Sequence, residues 1–295
     1  MKEGPVAWNK GLVLNVLSVT LMSLSPVLNK FSLARLSSAQ AAFFSSLFTI
    51  LFSYANLRLR GHRLVLVRNR VLWLVGLLNA AGVICLFTSL ELLSPVMVGF
   101  IGRFYIVFAI LFSVFYLKEA PSRPQVLCIG AAIAGTFLFV GKELDFSSLM
   151  GVASALLYTF FFAWTNVLVK VSVKNLDTSL IHFYSNSISS IFVLGYLLAR
   201  GEVLLLRFDR VGLGLVCLSA LLGNFLGLLL FFEGLKHIEF SKANLIRATS
   251  PVLVAAFSWP FFPVELSPMN LSGALLLLAS VIGLTLYEGR RSAPR

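Results

Sequence analysis

The hexapeptide SPVLNK (Ser25–Lys30) ends an apolar run, and 140 residues later TNVLVK (Thr165–Lys170) ends another. The two phrases share Val, Leu and Lys at matching positions. Each lysine follows about 19 mostly apolar residues, enough to cross a bilayer as a helix, and a lysine at such an end anchors at the membrane interface. The repetition half a chain apart predicts that the chain contains a duplicated unit.

Further positions support a duplication. A shift of 145 residues aligns LLNAAG, which contains Asn79, with LGNFLG, which contains Asn224. A shift of 144 pairs Arg103 with Arg247. Near-constant offsets over half the chain are typical of an internal structural repeat.

Composition indicates that the main solvent of this chain is lipid. Apolar residues make up 58% of its 295 positions, charged residues 12%, and the mean hydropathy is +0.92. Soluble domains carry about 25% charged residues, so this chain lacks the polar residues to cover a water-facing surface. The three cysteines lie inside apolar runs, which argues against a disulfide framework.

The hydropathy pattern predicts ten membrane-spanning helices joined by short connectors, with no alternating pattern typical of strands. The first apolar run is interpreted as a retained span because it is too long for a signal peptide. The predicted spans cover residues 11–30, 39–57, 71–91, 95–117, 124–141, 147–170, 179–199, 211–235, 243–263 and 270–287.

Lysine and arginine are distributed unevenly between the two predicted faces of the membrane. One face collects 16 of these residues, the other collects 6, and Arg103 and Arg247 fall inside spans. Positive residues prefer the cytoplasmic side, so both termini are predicted to be cytoplasmic. The net charge of +12 is therefore interpreted as topological, and no nucleic-acid partner is expected.

Duplication of a five-span unit requires the second copy to enter the membrane from the opposite side, because five is odd. We therefore predict an all-α integral membrane protein with ten transmembrane helices, arranged as two inverted five-helix repeats (residues 1–142 and 143–295) around a central cavity. Inverted repeats are a building plan of secondary transporters, in which the two halves exchange conformations around a site at mid-membrane.

Two segments carry a recognisable pattern. They are SLELLSPVMVGFIGRFYIVFAILFSVFYLKEAPSRPQVLCIGAAIAGTFLFV (Ser89–Val140) and GLKHIEFSKANLIRATSPVLVAAFSWPFFPVELSPMNLSGALLLLASVIGLTLY (Gly234–Tyr287). Each has a glutamate at the end of its fourth helix, Glu119 or Glu265, followed by glycines in its fifth. The chain thus resembles the EamA family of the drug/metabolite transporter superfamily over nearly its whole length.

The resemblance implies a ten-helix basket with a central cavity and alternating-access transport of a small organic solute. Amino acid, metabolite or drug efflux across the plasma (inner) membrane is the expected activity, with no cofactor. The expected partners are the solute and the lipid bilayer, and the protein is expected to be a monomer or weak homodimer. One departure concerns the first helix, which lacks the tryptophan that precedes TNVLVK.

Arg103 and Arg247 are candidate gates or anchors for an anionic group, because an arginine at membrane depth normally faces protein or water. From the inverted topology, Arg103 is expected toward the outside and Arg247 toward the cytoplasm. We predict an outer ion pair with Glu91 and an inner one with Glu233, one opening as the other closes. Either carboxylate is also a candidate for a coupling proton, while snorkelling or structural pairing remains the alternative for both arginines.

Buried amides and aromatic residues complete the candidate site. Amides in hydrocarbon either bond between helices or line a cavity, and tyrosine and tryptophan either line a cavity or mark the membrane interface. The candidates are Asn79, Asn166, Asn224, Tyr105, Tyr158, Trp164 and Trp259.

Two other functions stay open at the level of sequence. An integral membrane transferase acting on a lipid-linked donor would need acidic or histidine clusters in sizeable loops, and these connectors are short. A channel or scaffold would more typically use rings of like residues from identical subunits. Nucleotide-binding, serine hydrolase and zinc-protease motifs do not occur, so no catalytic or metal residue is predicted.

Overall fold

The computed structural model describes residues 10–59, 61, 70–117, 122–140, 146–172, 178–202, 208–235, 237–238, 243, 246–262 and 267–292. Every regular element in these ranges is helical, as the all-α prediction requires. The predicted boundary near residue 142 and the glutamates Glu119 and Glu265 lie outside the described residues.

The helices follow one another with short connections. In chain order they are α1 (Lys10–Ser32), α2 (Ser38–Leu59), α3 (Arg70–Leu92), α4 (Pro95–Ile101), α5 (Phe104–Leu117), α6 (Arg123–Val140), α7 (Phe146–Ser172), α8 (Thr178–Ala199), α9 (Arg210–Ser219), a π-helical segment (Ala220–Gly227), α10 (Leu228–Leu235), α11 (Ser250–Ser258) and α12 (Pro268–Ser292).

Six helical stretches among the described residues are long and apolar enough to cross a membrane: Lys10–Ser32, Ser38–Leu59, Arg70–Leu92, Phe146–Val169, Arg210–Phe231 and Pro268–Tyr287. Four shorter apolar helices occupy the positions of the other predicted spans: Pro95–Ala109, Arg123–Phe139, Phe183–Ala199 and Ile246–Ser258. Large apolar side chains point outward, such as Leu127 at 73% and Phe137 at 76% exposure. Such a surface fits a lipid environment.

The helices pack in a specific set of pairs. Helix α1 contacts α9, the π-helical segment, α10 and α11, whereas α7 contacts α3, α4 and α5. Helix α2 lies against α8, α4 against α11, and α6 against α12. The first half of the chain is therefore packed mainly against the second half, and residues far apart in sequence meet in the interior.

Two of the predicted spans are interrupted, one between α4 and α5 and the other shortly before α11. Between α4 and α5 the Arg103 N–H donates to the Phe100 carbonyl at 3.0 Å, which is a tight 3₁₀ turn rather than a continuous helix. Before α11 the Thr249 N–H makes the same kind of bond to the Ile246 carbonyl at 3.1 Å. The predicted continuous helices over 95–117 and 243–263 are therefore each broken beside an arginine.

Helix ends are held by polar side chains. The Lys30 ammonium donates to the Leu90 and Glu91 carbonyls at 2.6 and 3.0 Å, and so satisfies carbonyl groups at the C-terminal end of α3. At the start of α9, the Asp209 carboxylate accepts the Gly212 N–H at 2.7 Å. The lysine of SPVLNK thus ties α1 to α3 as well as marking the end of a span.

Helices α6 and α12 cross with their backbones in contact. A Cβ added to Gly135 would lie 2.8 Å from the Leu277 nitrogen, and one added to Gly273 would overlap the Phe139 nitrogen. Small residues allow this approach between membrane helices. The contact is reciprocal, since each glycine lies against the residue four positions after the other glycine.

Candidate functional site

The break between α4 and α5 is shaped by a tyrosine from α7. The Tyr158 hydroxyl donates to the Val98 carbonyl at 3.0 Å, and a Cβ on Gly102 would overlap that hydroxyl. Glycine at position 102 lets the tyrosine approach the backbone. The turn then places Arg103 directly before α5, where Tyr158 of α7 lies beside it.

The two arginines that the repeat pairs in sequence also meet in space. The Arg103 Nη1 donates to the Arg247 carbonyl at 2.9 Å. The Arg247 guanidinium lies over the Phe231 ring, 4.3 Å from its centroid, with the Met22 sulfur 3.8 Å from Nη2. These contacts join α1, α5, α10 and the segment before α11. The two arginines therefore lie in one cluster, and their placement toward the outside and the cytoplasm stays a prediction.

Three further predicted residues adjoin these arginines. Tyr158 lies within electrostatic range of Arg103, and Tyr105 lies near Arg247 and interacts with the Asn166 amide. Asn166 itself donates to the Phe162 carbonyl at 2.9 Å. We call Arg103, Arg247, Tyr105, Tyr158 and Asn166 the arginine cluster.

Most of the arginine cluster is partly or fully buried between helices, whereas Asn166 is exposed. Arg103, Arg247 and Tyr105 are half-buried, although Arg103 sits at an interruption in the middle of a predicted span. The Arg103 Nε is buried and has no hydrogen-bond partner. A guanidinium that faced lipid at this depth would cost several kcal/mol or more. An orientation of these guanidiniums toward protein or water is therefore favoured over one toward lipid.

Among the ion pairs that the described residues form, none joins Glu91 or Glu233 to these arginines. The ion pairs within the described residues are Arg35 with Asp209 and Arg200 with Glu202. Glu91 is exposed at the end of α3, where its backbone carbonyl accepts a hydrogen bond from Lys30. Glu233 is half-buried on α10.

The paired amides Asn79 and Asn224 bond between helices. Asn79 Nδ2 lies 3.4 Å from Asn186 Oδ1 on α8, and Asn224 Nδ2 lies 3.4 Å from Thr49 Oγ1 on α2. Both bonds are long for an N–H···O contact. The sequence left two interpretations of these amides, bonding between helices or lining a cavity. The observed contacts correspond to bonding between helices. The structure does not bring these amides into the arginine cluster.

The two tryptophans occupy different environments. Trp164 stacks on Phe112 with ring centroids 5.7 Å apart and meets Phe160 edge-on at 5.8 Å. It belongs to an aromatic packing layer between α5 and α7. Trp259 is 60% exposed at the end of α11. It lies twelve residues past Arg247 in sequence, and such exposure is typical of an interfacial tryptophan.

Sequence reasoning missed two residues of the site, Met22 and Phe231. Both contact the Arg247 guanidinium, yet each belongs to an apolar run that gives no polar signal. The repeat gave one signal for Met22. A shift of 140 residues places it on Phe162, whose carbonyl accepts the Asn166 amide. Its neighbour Ser23 lies 3.0 Å from Ser250, oxygen to oxygen, and links α1 to α11 beside the cluster.

Comparison with known proteins identifies the family. The EamA-like transporter family matches residues 9–141 and again residues 149–286. This chain belongs to the EamA-like transporter family. The family and the six long apolar helices together establish an integral membrane protein of a transporter class, and they point away from an enzyme. The family resemblance seen in the sequence is confirmed.

Two relatives extend the comparison. An uncharacterized transporter of Archaeoglobus fulgidus is 25% identical over 168 residues, which span 56% of this chain and 58% of that protein. A solved crystal structure shares the fold with a TM-score of 0.64 at 15% identity, covering 96% of this chain and 99% of the other. At that identity the second likeness concerns the fold alone.

Proposed function

We propose that this member of the EamA-like transporter family is a secondary active transporter that works by alternating access. Two inverted five-helix repeats, residues 1–142 and 143–295, would surround a central cavity lined by the arginine cluster. The cargo would be a small organic solute, with outward movement of an amino acid or amphipathic metabolite across the plasma membrane. Both termini would be cytoplasmic.

The pattern of helix packing supports two equivalent halves. If each helix is exchanged for its counterpart in the other repeat, α1 becomes α7, α2 becomes α8, and α3 becomes α9 with α10. Helix α1 packs on α9 and α10 as α7 packs on α3. The pairs α2–α8 and α6–α12 each map onto themselves.

Individual contacts repeat in the same way, and this observation carries the proposal. A Cβ on Gly82 would overlap the Phe162 ring, and one on Gly227 would overlap the Met22 side chain. The shift of 145 relates the two glycines, and the shift of 140 relates the two side chains. Such reciprocity is what a two-fold relation between repeats requires.

Two related halves that hold one site between them favour a carrier, because each half can adopt the other's packing and so move the site's opening across the membrane. A static scaffold gains nothing from this arrangement. The break beside each arginine supports the same conclusion, since irregular backbone at membrane depth is tolerated where protein or a water-filled cavity surrounds it.

Counterflow in proteoliposomes tests the proposal. Vesicles loaded with an unlabelled amino acid should take up the same labelled amino acid faster than protein-free vesicles, with saturable kinetics, for at least one member of an amino-acid and metabolite panel. Non-saturable flux would indicate a channel. Turnover of a lipid-linked donor without any flux would indicate a transferase.

A further inference from the structure

We propose that Arg103 and Arg247 together form one oxyanion subsite, which binds the carboxylate or phosphate group of the transported solute. The inference rests on the proposed transport function and names the class of its cargo. If the inference is correct, the transported solute is an amphipathic organic anion and not a neutral molecule.

The first argument is charge. Both guanidiniums are permanently protonated, and one donates to the backbone of the other. Among the described residues, the Arg247 guanidinium contacts a thioether and a phenyl ring, neither of which is negative. Neither arginine is ion-paired within the described residues. Where the described residues supply no negative partner, a bound anion would balance two neighbouring cations inside a membrane.

The second argument is unused hydrogen-bonding capacity. One Nη1 donor of Arg103 is spent on the Arg247 carbonyl, while its Nε donor is buried without a partner. A planar guanidinium offers five donors in a fork that matches a carboxylate or phosphate. A bound oxyanion would satisfy the unpartnered Arg103 donor while it neutralises the charge of both arginines.

The third argument concerns the rest of the ligand. Tyr105 and Asn166 place neutral hydrogen-bonding groups beside the arginines, whereas Met22 and Phe231 give the same site an apolar wall. A solute that joins an oxyanion to an apolar group satisfies both halves of this lining. Free inorganic phosphate would satisfy only the polar half.

Ligand-dependent thermal shifts of the purified full-length protein in phosphatidylcholine nanodiscs test the subsite. The probes are acetate, phenylacetate and inorganic phosphate, each compared with sodium chloride at equal ionic strength. We expect saturable stabilisation by the oxyanions beyond that of chloride, with phenylacetate tighter than acetate. A response equal to that of chloride would overturn the proposal.

Variants separate the subsite from general charge effects. Arg103→Gln and Arg247→Gln should each weaken the oxyanion response by about ten- to a hundredfold, the range of charged hydrogen bonds. The double variant should be little worse than the worse single one, because the two residues act as a unit. Arg200→Gln, a surface arginine paired with Glu202, should respond as the unaltered protein does.

Two further measurements cover a variant that does not fold and a site that binds lipid. If a glutamine variant does not fold, Arg103→Lys retains the charge without the fork and should show a smaller loss; an undiminished response would contradict the subsite. If phosphatidylglycerol in the nanodisc stabilises the protein through Arg103 while soluble oxyanions do not, the site belongs to a lipid headgroup and the proposal fails.

The failure of this inference is distinguishable from the failure of the transport proposal. Counterflow of a solute that persists unchanged in Arg103→Gln would leave the carrier function intact and remove the subsite. Oxyanion binding that needs both arginines, without counterflow of any tested solute, would leave the subsite intact and remove the carrier function.

Discussion

At the residue scale, the break between α4 and α5 contains a close contact between Gly102 and the Tyr158 hydroxyl. Gly102 lies directly under the Tyr158 hydroxyl, and that hydroxyl bonds the Val98 carbonyl at 3.0 Å. The missing Cβ therefore allows the tyrosine to add a second hydrogen bond to the Val98 carbonyl, which also accepts the Gly102 N–H at 2.8 Å. An interruption at membrane depth needs such internal partners because lipid supplies none.

Replacement of Gly102 by alanine tests this contact. The added methyl must displace the Tyr158 hydroxyl or the turn, so Gly102→Ala should destabilise the protein by about 1–3 kcal/mol, the usual cost of overpacking. Thermal unfolding in detergent measures the change. The same substitution in a Tyr158→Phe background should cost clearly less. An equal cost in both backgrounds would show that the hydroxyl is not the obstacle.

Asp209 offers a residue-scale prediction with a pH signature. The Gly212 N–H and, less strongly, the Arg35 guanidinium hold the pKa of the Asp209 carboxyl below its ordinary value. A lowered pKa means that the charged form favours the folded state. This contribution is present above the unfolded pKa, about 3.9, and is lost as the pH falls through the lower folded value.

Asp209→Ala should accordingly lower the thermal midpoint at pH 7, and the gap from the unaltered protein should shrink as the pH is taken below about 4. Asp209→Asn is the matched control, because asparagine also caps a helix but carries no charge to titrate. A gap that stays constant from pH 7 to 3 would exclude the carboxylate as its source.

At the scale of elements, the crossing of α6 and α12 joins the last helix of one repeat to the last helix of the other. Gly135 and Gly273 face backbone atoms, which cannot rotate away as a side chain can. Gly130, which also lies on α6, has nothing within 4 Å of its added Cβ. An added methyl group should therefore change the stability of the protein differently at the packed glycines than at the open one.

Gly135→Ala and Gly273→Ala should each destabilise the protein by about 1–3 kcal/mol, since the helices must separate to admit the methyl. Gly130→Ala should be neutral or stabilise by up to about 1 kcal/mol, because alanine is the better helix former. Thermal unfolding of the three variants in one detergent gives the comparison. A similar loss for all three would mean that the crossing is not close-packed.

At the scale of the whole molecule, the proposed inverted repeats require fixed sides for the connectors. With both termini cytoplasmic, the connector after α2 faces the cytoplasm and the connector after α8 faces outward. Leu59 and Arg200 are exposed at these two places. They provide positions for labelling that leave the packed interior untouched.

In a cysteine-free background, Leu59→Cys should react with a membrane-impermeant thiol reagent only after the cell is opened, and Arg200→Cys should react in intact cells. The reason is that five spans lie between the connectors in the proposed topology, and an odd number reverses the side. Labelling of both cysteines from the same side would rule out the proposed span count.

The length and composition of the apolar runs allowed the membrane class and the helical fold to be predicted from sequence, and the family was predicted from the resemblance of Ser89–Val140 and Gly234–Tyr287 to the family pattern. Each of these properties depends on local chain features: a run of about 20 apolar residues forms a helix in lipid because no other structure satisfies its backbone. The pairing of Arg103 with Arg247, and of Asn79 with Asn224, was likewise visible as a repeat offset.

The tertiary structure alone decided which of these residues meet. It brought Arg103 onto the carbonyl of Arg247 and placed Met22 and Phe231 against the second guanidinium. It also left Glu91 exposed at a helix end. Depth along one helix can be counted from sequence, but contact between helices depends on crossing angle, rotation and local breaks. These follow from close packing across the two halves, which no single segment encodes.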